Sequence, residues 1–182
     1  MLVIEKRVNN TNFTTQELND KLKIEKTNFS DIMGILKIMT DCFKIPTTID
    51  AYNYLYLHKL NILNSVKLVD KDTNEIYGVL LLGEVPMADV TPIMFICPTL
   101  NCVLNKLKQL NGIAFIIDER LRGQGWDKKM LYSNISYINQ FDIVWCGVDA
   151  TLKTHHYWER LGFDNLFNDS RVNFYAKVVK KH

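Results

Sequence analysis

The sequence predicts a mixed α/β or α+β fold, a sheet with helices packed on its faces. Three observations predict it. Strand-like and helix-like periodicities succeed one another in the order strand, two helices, three strands, helix, strand, helix, strand. The 182 residues suffice for one domain around one core. A composition of 47% hydrophobic and 23% charged residues is that of a globular chain, so the apolar runs are read as core.

Residues 1–20 hold a short apolar alternation, "LVIEKRV", and then a polar stretch. They are read as an N-terminal extension, with room for one edge strand, ahead of a single domain over 21–182. "KLKIEKT" alternates with period two and predicts a strand. "NFSDIMGILKIMTDCF" puts Ile32, Ile35, Leu36, Met39 and Phe43 on one helical stripe, with Ser30 as its expected N-cap. Pro46 breaks that helix, and "TTIDAYNYLYLHKL" starts another behind a Thr/Asp cap.

"SVKLVD" and "IYGVLLL" read as two strands joined by the polar turn "KDTNE". An insertion over 85–110 follows. In it "TLNCVLNKLKQL" places Leu100, Val103, Leu104 and Leu107 at helical spacing, a stripe that suits added packing, a lid or a dimer contact. "NGIAFII" is the next strand, and "DKKMLYSNISYINQ" a helix with Met130, Leu131, Ile135 and Ile138 inward. "DIVWCGV", "TLKTHHYWERLG" and "VNFYAKVV" complete the order as strand, helix and strand, with Gly162 stopping the helix.

Bulk properties exclude some classes. A formal net charge of +2 is too small to argue for a nucleic-acid or membrane partner, and neither is expected. No apolar run approaches the roughly 20 residues of a membrane span. The N-terminal stretch meets charge at Glu5 and holds no apolar leader, so a cytoplasmic protein is expected, as a monomer or homodimer. Cys42, Cys97, Cys102 and Cys146 then read as free thiols. The Cys97 to Cys102 spacing matches no common metal site, and no metal is expected.

The stretch "AFIIDERLRGQGWDKKML" carries chemistry. A strand that turns and feeds a helix presents the first, unpaired amides of that helix to solvent, where they and the helix dipole attract anions. Gly123 and Gly125 permit positive φ and close approach of a ligand to backbone. Arg120, Arg122, Lys128 and Lys129 add positive charge, which makes a workable diphosphate cradle. The Walker P-loop string is absent, and the dinucleotide G-x-G-x-x-G pattern fails because Lys128 stands where its third glycine belongs.

"DERLRGQGWDKKML" resembles the acyl-CoA-binding signature Q/R-x-x-G-x-G/A of the GCN5-related N-acetyltransferases (GNATs), with Arg122, Gly125 and Asp127 on its defined positions. "VDATLKTHHYWERLGF" is similar to the later family segment, and "ERLGF" is a close match to its end. The resemblance implies a mostly antiparallel twisted sheet with splayed central strands. It implies acetyl-CoA as acyl donor and an amine, unidentified, that attacks the thioester directly.

It also implies residue roles. Phe115, Ile116 and Ile117 would pair with pantetheine through their backbone, and a strand N–H near Ile116 or Ile117 would face the developing oxyanion. Arg122, Gly123, Gln124, Gly125, Trp126, Asp127 and Lys128 would hold the pyrophosphate. Thr151 stands at a family asparagine position, and Trp158 where the family commonly has a tyrosine acid.

An indole N–H donates a hydrogen bond but is no useful acid, which leaves Tyr157, one residue away and about 100° round the helix, as substitute. Asp127 is unfavourable facing a diphosphate and favourable toward the helix dipole. Glu84, His155 and His156 are the candidate bases, since the attacking amine must lose a proton. Acceptor choice in the family lies with the N-terminal helix pair, here rich in Tyr52, Tyr54 and Tyr56. The alternative is an acyl-CoA-binding module of the same fold with little or no turnover.

Overall fold

A computed structural model describes residues 3–6, 15–90, 98–149, 155–168 and 172–179. Its strands are β1 (Val3–Lys6), β2 (Leu22–Lys26), β3 (Val66–Asp70), β4 (Ile76–Gly83), β5 (Gln109–Asp118), β6 (Ile143–Asp149), β7 (Asp164–Asn168) and β8 (Val172–Val178). Its helices are α1 (Thr15–Lys21), α2 (Ile32–Phe43), α3 (Thr48–Leu57), α4 (Met87–Val90), α5 (Pro98–Leu104), α6 (Trp126–Ser133), α7 (Ile135–Ile138) and α8 (His155–Arg160). Seven strands form one sheet in the order β2-β3-β4-β5-β6-β8-β7, and β1 adds to β5. All neighbours are antiparallel except β5 with β6 and β1 with β5.

Helices cover both faces, as the alternation of periodicities predicts. On one face α2 and α3 bury Ile35, Leu36, Met39, Ala51 and Leu55 against Val79, Leu81, Ile113 and Ile116. The five buried side chains of α2 contribute on the order of 10 kcal/mol before chain entropy is subtracted. On the other face Leu18, Trp126, Met130, Tyr137 and Trp158 pack on Leu68, Leu80, Phe115, Ile117 and Val148. The insertion builds a third cluster, in which Met87 and Leu104 cover Ile143, Trp145 and Phe174.

Strand β5 changes phase in its middle. Leu81 stands opposite Ala114 while Leu82 stands opposite Gly112, so Ile113 is an extra residue, a bulge. Before it Leu110 faces the α6 side; after it Phe115 and Ile117 do. Ile113 and Ala114, consecutive in sequence, both face α2. This is why "IAFII" reads as an unbroken apolar run: the strand is covered on both faces and slips by one residue within it.

Four local expectations differ from the structure. Asn28, not Ser30, caps the turn before α2: its side chain accepts from the Ser30 N–H, while Asp31 accepts from the Asn28 N–H. The helix expected over 127–140 breaks at Asn134, a buried amide that donates to the Asn64 carbonyl and accepts from Lys26. The break rotates the second half, so Tyr137 is buried and Ile135 exposed. In the insertion, helix α5 ends at Leu104 and turns Val103 outward, and β5 already begins at Gln109. Finally, "DNLFN" forms β7, a strand whose polar ends hide its period.

Candidate functional site

The parallel pair at the centre of the sheet opens. β6 pairs with β5 only from Gln109 to Gly112 and keeps β8 as its partner through Asp149. Past the bulge, β5 no longer pairs with β6 and runs on to the glycine turn. The two parallel strands part there, with the turn at one end, a cavity at Asn111–Ile113 at the other, and β1 on the edge of β5 between them.

At the turn, Asp118 is fully buried and accepts from both the Arg120 backbone N–H and its guanidinium, at 3.0 Å each from Oδ1. That pair raises the Arg120 pKa and neutralises one of the four expected cations. Gly123 and Gly125 both have positive φ, 70° and 77°, and a Cβ at either would meet nothing within 4 Å. The floor of the turn is therefore open backbone. Gly125 caps α6, whose first i to i−4 bond runs from the Lys129 N–H to the Gly125 carbonyl. The amides of Trp126, Asp127 and Lys128 precede that bond and point out of the helix start. Arg122, Gln124 and Lys128 are exposed around it, so these residues fit a diphosphate. Asp127 stands in the first helical turn, where its charge complements the dipole.

The turn is tied from outside. The Trp126 indole donates to Asn19 Oδ1 at 2.7 Å, and Asn19 Nδ2 reaches Gln124 Oε1 at 3.4 Å. Lys129 lies 4.2 Å over the Trp126 ring. Neither Asn19 nor α1 was signalled by the sequence motif.

The cavity encloses about 320 Å³ and is lined by Phe43, Ile45, Tyr54, His58, Val90, Asn111, Gly112, Ile113, Trp145, Gly147, Val172 and Phe174. Its walls are mainly apolar, and His58 is its titratable imidazole. His58 follows α3 and meets Asn111 of β5, its Nδ1 2.6 Å from Asn111 Nδ2. Burial lowers the His58 pKa to about 4, so the ring is neutral at physiological pH. Sequence reasoning passed over His58 because it ends a tyrosine-rich helix, and its partner Asn111 lies far along the chain.

The other expected residues are distributed as follows. Phe115, Ile116 and Ile117 lie on β5 beyond the point where β6 leaves it, opposite Val3, Ile4 and Glu5 of β1, with their side chains buried. Glu84 does not line the cavity: its carboxylate accepts from Tyr137 and from Asn61 Nδ2, at 2.9 Å for the latter. Trp158 is fully buried, edge to face with Tyr157 and Phe163 at 5.1 and 5.3 Å, and its Nε1 has no hydrogen-bond partner among the described residues. The Tyr157 hydroxyl is buried beside Asp127, and burial raises its pKa well above that of a free phenol. Thr151 lies outside the described residues, and His156 is exposed and pairs with Glu159 at 3.2 Å. Tyr52 and Tyr56 point to solvent; Tyr54 is the tyrosine of that helix at the cavity. Among the described residues no cluster of three or more His, Cys, Asp or Glu could hold a metal.

Strand order, divergent parallel pair and glycine turn together define a class: the chain has the fold of the GCN5-related N-acetyltransferases. Solved structures agree. The NatC complex bound to Gag peptide and CoA superimposes with a TM-score of 0.63 at 12% identity, covering 88% of this chain and 99% of that one. The Escherichia coli GNAT family N-acetyltransferase YhbS in complex with CoA gives 0.59 at 14%, covering 88% and 82%. An acetyltransferase of the GNAT family from Staphylococcus aureus gives 0.58 at 15%, covering 87% and 99%. No protein-family model and no curated protein matches the sequence.

Proposed function

We propose that the chain is an acyl-CoA-dependent N-acyltransferase that moves an acetyl group to an amine seated in the cavity beside His58. One observation carries this reading. The cleft between β5 and β6 runs from an anion-binding turn at Gly123–Lys128 to a cavity lined by Asn111, Gly112 and Ile113. A long donor and a compact acceptor can therefore meet from opposite ends at the bulge, which is the arrangement that direct transfer needs.

The chemistry follows from the residues. The pyrophosphate lies on the amides of the α6 start, with Lys128 and Arg122 beside it. The pantetheine arm runs along the β5 edge at Phe115–Ile117, and a backbone N–H there faces the thioester oxygen as it gains charge. The amine nitrogen attacks the carbonyl carbon, the C–N bond forms, the C–S bond breaks, and the thiolate takes a proton. The nitrogen's surplus proton leaves to water, and neutral His58, whose Nδ1 accepts from the Asn111 amide, presents Nε2–H to the acceptor. The apolar walls favour an amine carried on an apolar group, either a small molecule or the end of a peptide. The thiols of Cys102 and Cys146, which form no disulfide, fit a cytoplasmic setting.

Acetyl-CoA titration by calorimetry, followed by thiol release over a panel of apolar amines and peptides, tests this. Binding with turnover is expected; no binding would sink it. Binding without thiol release would favour a second reading, an acyl-CoA-binding module. The buried Trp158 indole and the Tyr157 hydroxyl turned toward Asp127 favour that one, since neither offers an acid to the leaving thiolate.

A further inference from the structure

We propose that β1 is a displaceable plug, a segment of the chain's own N-terminal region that occupies the acyl-CoA cleft and must leave before the donor binds. The inference rests on the acyl-CoA reading above and concerns regulation of that site.

The register carries it. β1 pairs in parallel with β5, Val3 opposite Phe115, Ile4 opposite Ile116, Glu5 opposite Ile117 and Lys6 opposite Asp118. β4 pairs with β5 from Asn111 to Ile117 along the other edge. β1 therefore takes the edge that β6 gives up after Gly112, and its hydrogen bonds use the backbone groups that a pantetheine arm would use. One row of amides cannot serve both. The backbone of β1 also runs beside α2.

A second observation is independent of the pairing. The next helix, α1, is anchored at the other end of the same cleft. Leu18 is 1% exposed in the core, and Asn19 bonds both Trp126 and Gln124 of the anion-binding turn. The N-terminal region thus touches the cleft at both of its donor-binding regions. Anchored by α1, β1 meets β5 as an intramolecular partner at an effective concentration of roughly millimolar.

The plug is held weakly. Four parallel residues paired on one edge make a marginal contact. A contact of that kind is sustained by its tether and gives way to a ligand that binds the whole cleft. It also has a use while the cleft is empty: it covers the unpaired edge of an apolar strand, which would otherwise invite pairing with another chain.

The test compares the full chain with Ile4→Pro, Glu5→Pro and a deletion of residues 1–6. Two adjacent prolines are needed because successive residues of a strand bond to opposite sides. A plug in place nine-tenths of the time weakens apparent affinity about tenfold, so at least one proline variant and the deletion should bind acetyl-CoA about tenfold more tightly. Amide exchange at 115–118 should speed up in the same variants without ligand. Equal affinity and equal exchange in all four proteins would overturn the plug and leave the acyl-CoA reading standing. Faster exchange with no acetyl-CoA binding by any of them would overturn both. If the deletion fails to fold, the proline variants decide alone.

Discussion

His58 Nδ1 lies 2.6 Å from Asn111 Nδ2, which joins the end of α3 to the last residues of β5 before the bulge. The amide donates to Nδ1, so the neutral ring turns its Nε2–H away from the strand. If that N–H positions the acceptor, His58→Ala should raise the KM for the amine about tenfold while acetyl-CoA affinity holds. Asn111→Ala should have a smaller effect on KM, since it removes only the orientation. Steady-state rates and calorimetry on the same samples check both; an equal loss of affinity would indicate collapse of the cleft instead.

The same residue gives a pH dependence of stability. Burial takes the His58 pKa from its ordinary 6.5 to about 4. Between these values the unfolded chain binds the proton and the folded one does not. Stability from this site is therefore complete above pH 6.5 and lost as pH falls toward 4. At about 1.4 kcal/mol per unit the upper bound is about 3 kcal/mol. Urea unfolding at pH 7.5 and 5.0 should show the decline, and His58→Gln should flatten it.

Gly125 has φ of 77° and open space where a side chain would start. Gly125→Ala should cost only the left-handed backbone penalty, about 1–2 kcal/mol. Gly125→Glu should cost about the same in thermal melting yet raise the Kd for acetyl-CoA by more than about a hundredfold, because a carboxylate then faces the diphosphate. Unchanged affinity would remove the cradle from this turn.

Trp158→Tyr places a phenol among Tyr157, Phe163 and the α6-side core. The smaller ring should lower stability by about 1–2 kcal/mol, as large-to-small core changes do. If protonation of the leaving thiolate limits turnover, kcat should rise about tenfold and gain a basic limb in its pH profile. No change in rate would assign that proton to water.

The fold was legible because each element announces itself locally. "KLKIEKT" alternates, α2 keeps its stripe, Thr47 caps α3, and the glycine turn sits between an apolar run and a helix. What escaped is non-local or depends on one side chain. Parallel addition of β1 to β5 joins segments more than a hundred residues apart and leaves no mark in either. The kink at Asn134 depends on a bond to Asn64, and the placement of Glu84 on one to Tyr137. In the candidate site, the glycine turn was readable because backbone conformation is encoded by glycine. The cavity was not, because His58, Asn111, Trp145 and Phe174 come from four separate elements.

The bulge at Ile113 makes β5 two strands in series with opposite parity. A single-residue deletion there would restore a continuous ladder with β4 and leave Phe115, Ile116 and Ile117 on the faces they now hold. The irregularity at which β6 leaves β5 would go with it, and the gap would close like a zip drawn to its end. Entry of any extended molecule into the sheet, the chain's own or a foreign one, thus rests on an odd number in the count of residues.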